Sequence, residues 1–210
     1  MIDRELLTDL QYCLIEPPDG GDTWPSLIWT RDEVLDAVNA GLRALVHDTH
    51  LQVARSELSI TAGTQSIALP ADWLATAHLV WRDTATSVRT PLGPADAFEA
   101  DLAAPGWEMA AGLPLGYADL DGPTLTLRLV PTPLADGVLE LLYVAVPPLL
   151  DGSGADLPVA SEFASGVKYA ALASLLRKVG RLIDPERAAY CERRYELTTT
   201  VSGILLEGWS

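Results

Sequence analysis

Three histidines, two cysteines and a few closely spaced carboxylates are the residues in this 210-residue chain whose types suit chemistry. His47 and His50 stand three apart with Asp48 between them, a spacing that puts two imidazoles on one helix face and suits a metal. No cysteine or carboxylate cluster supplies the remaining ligands at a recognisable spacing. The pair therefore reads as two surface imidazoles near a helix C-terminus, where the dipole favours positive charge. His78 falls in an apolar, strand-like run and reads as a half-buried residue rather than a general base. Ser165-Gly166 lacks the full glycine frame of a nucleophile elbow, and no histidine follows it to act as base. Asp119-Leu120-Asp121-Gly122 has the opening of a calcium loop without its third ligand or distant glutamate, so it reads as a turn. Neither a phosphate-cradling glycine loop nor a dinucleotide-binding turn occurs. No catalytic, cofactor-binding or metal-ligating residue is therefore expected.

Cys13 and Cys191 lie at opposite ends of the chain in helical patterns, and they read as small buried thiols of a reducing compartment. Trp73, Trp81 and Trp107 lie in a β-patterned stretch. Exposed, they would form a sugar-stacking platform; packed, they fill a small β core or a subunit contact, which is the commoner use.

The elements that must position these residues follow from period and punctuation. Thr30 followed three residues later by Glu33 is a capping box, and Val34, Leu35, Val38, Leu42, Leu45 and Val46 then recur with helical period. This predicts a helix over 31–49. An earlier helix runs from Ile2 or Asp3 to about Leu14, stopped by Glu16-Pro17-Pro18. From Arg55 the period becomes two. Leu58–Thr61 and Gln65–Leu69 read as a hairpin across Ala62-Gly63-Thr64, and Ala77–Trp81 as a strand. A short helix is expected at Pro94–Leu102, then strands at Thr124–Val130 and Gly137–Val146, the second nearly all apolar and so central. After a Pro- and Gly-rich linker, Pro147–Pro158, a third helix is expected from Ser161 to Val179, stopped by Gly180. Asp184-Pro185 then opens a fourth, with Ala188, Cys191, Tyr195 and Val201 on one face.

The fold class is therefore α+β. A bundle of about four helices is built from 1–54 and 158–210, and 55–157 form a β-rich insertion, a small sandwich or barrel-like unit. No apolar run approaches the roughly 20 residues of a membrane span. The N-terminus is charged and does not read as a secretory signal. The net charge is −15 and uneven: residues 1–55 carry 4 basic and 10 acidic side chains, 56–157 carry 3 and 13, and 161–196 carry 7 and 5. Such a balance excludes tight grip on a nucleic-acid backbone, which needs clustered Lys and Arg.

Taken in order, these segments resemble the head-to-tail adaptor (connector) proteins of tailed bacteriophages, particularly those beneath the portal of short-tailed phages. The resemblance is carried by Trp29-Thr30-Arg31-Asp32-Glu33 and the helix it opens through Arg43, and by Leu69-Pro70-Ala71-Asp72-Trp73. Further along it is carried by Trp107 through Gly112 with Pro114 and Tyr117, and by Val130-Pro131-Thr132-Pro133 before a long apolar strand. Phe163 through Leu172, then Asp184, Arg187, Ala188 and Tyr190, complete it. Gly41 departs from the family's usual Glu or Ala and costs helix propensity.

The resemblance implies a structural virion protein without an active site. About twelve copies would close a ring under the portal protein, extend the DNA channel and meet a downstream tail or nozzle protein. DNA would pass without specific binding, past carboxylates that repel its phosphates. Assembly would involve no membrane, with synthesis in the host cytoplasm and the final location at the head–tail junction of the virion. The basic stretch and the apolar C-terminus are the expected interface: Arg187, Arg193, Arg194, Leu205, Leu206 and Trp209. The alternatives are a carbohydrate-binding or tail-fibre-type module, and a hydrolase with an unrecognised site.

Overall fold

The computed structural model describes residues 1–14, 28–95, 106, 109–119, 126–179 and 183–207. It divides into two compact units: Met1–Gln52 with Val146–Ser210, and Val53–Ala145.

The first unit is helical. α1 (Asp3–Cys13) buries Leu6, Leu7 and Leu10. α2 (Arg31–Thr49) is capped as its sequence predicts: the Thr30 N–H donates to Glu33 Oε2 at 2.9 Å, and the Glu33 N–H to the Thr30 hydroxyl at 3.2 Å. Trp29, just before the cap, is buried and its indole N–H donates to the Leu175 carbonyl at 3.3 Å. α2 ends on His50 in the left-handed conformation, φ 55°, with its N–H returned to the Val46 carbonyl. A 3₁₀ turn, Ser161–Phe163, leads into α3 (Ala164–Leu176), three residues shorter at its C-terminal end than the expected Val179. Gly180 lies outside the described residues. α4 runs from Pro185 to Glu207, with the Asp184 carboxylate accepting the Arg187 N–H at 3.0 Å.

α3 packs on both α2 and α4, and small residues make that possible. A Cβ at Gly41 would sit 3.0 Å from Ala170 Cβ and 3.1 Å from the Val167 carbonyl oxygen; one at Gly166 would meet Thr198 and Leu45 at 3.0 and 3.1 Å. The glycine that costs α2 propensity is the one that admits α3. The linker residues from Val146 to Leu157 lie on the helices. Asn39 exchanges two hydrogen bonds with the Leu150 backbone (2.8 and 3.0 Å), and Arg31 donates to the carbonyls of Asp151 and Gly152. Asp3, 1% exposed, accepts the N–H groups of Gly152 and Gly154 at 2.8 Å each.

The second unit is a mixed sheet, ordered β1 (Val53–Ile60), β9 (Gly137–Ala145), β3 (Trp73–Asp83), β4 (Arg89–Pro94), β6 (Gly116–Asp119), β7 (Thr126–Val130) and β2 (Ser66–Ala68). β5 (Ala111–Gly112) and β8 (Thr132–Pro133) form a separate parallel pair. β4 and β6 are parallel and the other pairings of the large sheet antiparallel. Its outermost strands, β1 and β2, are consecutive in the chain and joined by residues 61–65, so the sheet curls until it is nearly barrel-shaped. Trp81, Leu79, Leu127, Leu129, Leu139 and Leu141 fill the interior. Trp81 lies over Gly137, where a Cβ would fall 2.2 Å from its ring.

β9 is central, between β1 and β3, as its continuous apolarity predicts. Two expectations are corrected. The 58–69 hairpin does not form: β1 pairs with β9 and β2 with β7, and both send apolar side chains, Ile60 and Ile67, into the common interior that these partners complete. The strand expected at 77–81 is longer, starting at Trp73 where the Pro70 turn ends, with the Trp73 N–H donating to the Pro70 carbonyl at 3.0 Å. Pro94 ends β4, and residues 96–102 of the helix expected there lie outside the described residues.

Candidate assembly surface

The residues with chemical potential are scattered by the fold. His47 is exposed at the end of α2, with Nδ1 3.0 Å from Asp48 Oδ1, and His50 is the C-terminal residue of the helix cap. Asp48 also accepts from the Tyr195 hydroxyl of α4 at 2.6 Å. Burial pushes the Asp48 carboxyl up, but the Tyr195 hydroxyl and His47 imidazole outweigh it and hold it below the usual range. The same burial, with the Asp48 charge, pushes the Tyr195 phenol well up. Ser165 is exposed on α3. Asp119 ends β6, while Asp121 lies outside the described residues. Among the described residues, no group of three His, Cys, Asp or Glu side chains is placed to hold a metal, and no helix is long and apolar enough to cross a membrane. Cys13 and Cys191 are both free thiols; Cys191 is buried, which pushes its thiol up.

Of the tryptophans weighed for sugar stacking, Trp81 is a core residue and Trp73 is half-buried with its indole N–H on the Thr76 hydroxyl at 3.2 Å. Trp107 lies outside the described residues. The outer face of the sheet instead carries a charged cluster. Glu140 on β9 accepts from Arg82 at 2.7 Å and from Arg89, and Arg82 also reaches Glu57 at 3.4 Å. The Arg82 hydrogen bond, helped by Arg89, holds the Glu140 carboxyl below its usual range against partial burial.

The expected interface residues lie on or beyond α4. Arg187 is exposed near its start and donates to the Cys13 carbonyl at 2.5 Å; Arg193 is exposed. Arg194 lies 5.4 Å from the Tyr169 ring centre, and Tyr190 meets that ring edge-on at 6.3 Å. Leu205 and Leu206 are in the last turns of α4, and Trp209 lies outside the described residues. The sequence reading misplaces one residue. Val201, expected on the buried face with Ala188 and Cys191, is 45% exposed. The buried line steps from Cys191 through Tyr195 and Thr198 to Ser202, one position further on. Val201 joins Tyr190, Leu197 and Ile204 in an exposed apolar stripe, a pattern of seven, four and three residues visible in the sequence once Ser202 is recognised as buried.

A model of the SU10 adaptor protein family matches residues 4–202. The chain belongs to that family, and it is a structural virion protein that connects head to tail. No curated protein matches the sequence. A solved chain described as the neck of an empty GTA particle computed with C6 symmetry is similar at 17% identity and a TM-score of 0.29, over 93% of this chain and 91% of that one.

Proposed function

We propose that this adaptor assembles as a closed ring of about twelve copies against the portal protein, extending the DNA channel and offering its other side to a tail or nozzle protein. The observation that carries this is membership of the adaptor family over residues 4–202, in a chain whose α4 leaves an apolar, arginine-flanked surface uncovered. The helical unit forms the ring body. Arg187, Arg193, Arg194, Leu205, Leu206 and Trp209 take part in assembly contacts. The protein acts without catalysis, at the head–tail junction of the virion, after synthesis in the host cytoplasm. Its acidic excess, −15 overall, keeps passing DNA from adhering to the lumen.

Cryo-electron microscopy of the intact particle tests the proposal. A ring of this chain between portal and tail is the expected result. Density at a fibre or on the capsid surface would replace it with the binding-module reading, and absence from the particle would end it.

A further inference from the structure

Two surfaces of the helical unit are complementary to each other, and one molecule cannot bring them together. The first is the outer face of α4. Tyr190, Leu197, Val201 and Ile204 are 50, 53, 45 and 65% exposed. Their spacing puts them on one side of the helix, in a stripe about 21 Å long at 1.5 Å per residue. Arg193 and Arg194, both exposed, fall on opposite sides of that stripe. This face lies away from the line of Ala188, Cys191 and Ser202 that packs inward.

The second surface is made by α2 and the segment after the β unit. Asp32, Asp36 and Asn39 follow at i, i+4 and i+7 along one side of α2. Asn39 holds the backbone of Leu150 on that side, and Arg31 holds the Asp151 carbonyl. This presents Leu149, 67% exposed, beside exposed Asp32, Asp36 and Asp151. The first surface is apolar with a basic border; on the second, Leu149 stands with the carboxylates of Asp32, Asp36 and Asp151, and exposed Arg43 follows one turn further along α2.

We infer that the outer face of α4 docks onto the acidic α2–Leu149 face of a second copy of this chain. The inference rests on the ring reading above and names the surfaces that close it. The contact is between unlike faces, one basic-bordered and one carrying carboxylates, and unlike faces generate rings rather than two-fold dimers. Residues 161–196 are the stretch where basic side chains outnumber acidic ones, 7 to 5, so the rest of a second copy is the complementary acidic surface.

The test places a benzophenone photocrosslinker at Leu197 in the chain carried by intact particles, followed by irradiation and peptide mapping. The expected product joins two copies, from position 197 to a peptide within 31–49 or 146–157. An adduct to a different virion protein, or none from a chain that is present in the particle, overturns the inference and leaves the ring reading standing. Absence of the chain from the particle overturns both. In a second arm, Arg193→Glu lowers incorporation into particles on the order of tenfold, about 1.4 kcal/mol of contact, and Asp36→Arg in the same chain restores it. Unimpaired incorporation of Arg193→Glu, or no rescue by Asp36→Arg in a variant of normal helicity, overturns the inference.

Discussion

The two units hold their interiors by opposite means. Where α2, α3 and α4 meet, the contact is made by what is missing: Gly41 and Gly166 leave room for Ala170, Leu45 and Thr198, and Ala171 and Ala188 are fully packed. In the β unit the contact is made by bulk, with Trp81, Tyr117 and Tyr143 among leucines inside a curled sheet. Helix axes come close when side chains are small, whereas a nearly closed sheet leaves a central volume that large rings fill. The units should therefore fail to opposite kinds of substitution, enlargement in one and truncation in the other.

The sharpest break is Trp81→Ala. Removing a side chain that is 1% exposed should cost about 3–5 kcal/mol. Amide exchange in β9 and β3 should accelerate steeply, while Leu42 and Leu45 in α2 keep their protection. Equal loss of protection in both units would show that they unfold as one and erase the contrast. Next is Asp3→Ala, at about 2 kcal/mol, because the N–H groups of Gly152 and Gly154 lose a buried carboxylate acceptor. Thermal unfolding should register it, and Asp3→Asn should recover part of the loss. Gly41→Ala is smaller and more telling. Alanine improves helix propensity by about 1 kcal/mol, yet its Cβ would press on Ala170 at 3.0 Å. We expect a net loss of about 1 kcal/mol by overpacking. A stabilised variant would show that α3 yields, and that the seam is not held by close approach.

The contrast also explains what was legible in the sequence. Helices declare themselves locally: Thr30 and Glu33 fix the start of α2, and Asp184-Pro185 the start of α4. Strands declare a period without a partner. The apolarity of 137–146 identifies a central strand, but nothing within 53–69 says that β1 pairs with residues 77 to 91 positions away rather than with β2. Backbone hydrogen bonds carry no side-chain label, and the choice is made by which faces complete the interior. On α4 the difficulty is different. Polar Ser202 is fully buried while Val201 is exposed, so an apolar count alone turns the helix by one position. Its hydroxyl is satisfied by the Thr198 carbonyl at 2.8 Å, which is why burial is tolerated. The exposed stripe follows from that rotation, and with it the surface now assigned to assembly.

The smallest effect tests whether the helical seam has any polar contribution. Tyr195→Phe removes the hydroxyl that donates to Asp48 and leaves the packing intact. We expect a loss of about 0.5–1 kcal/mol near neutral pH, the lower part of the range for a bond to a charged acceptor because Asp48 is 43% exposed. The loss should form a plateau in pH. On the acid side, Asp48 has a folded pKa below its unfolded value, so its stabilisation is present above the unfolded value and vanishes as pH falls through the folded one. On the alkaline side, Tyr195 has a folded pKa above its unfolded value, so the wild type loses stability as pH rises beyond about 10 while the phenylalanine variant does not. The two proteins should converge in acid, and in alkali the phenylalanine variant should become the more stable of the two. No difference at any pH would mean that Tyr195 acts through its ring alone, and the helical seam would then be held by steric fit throughout.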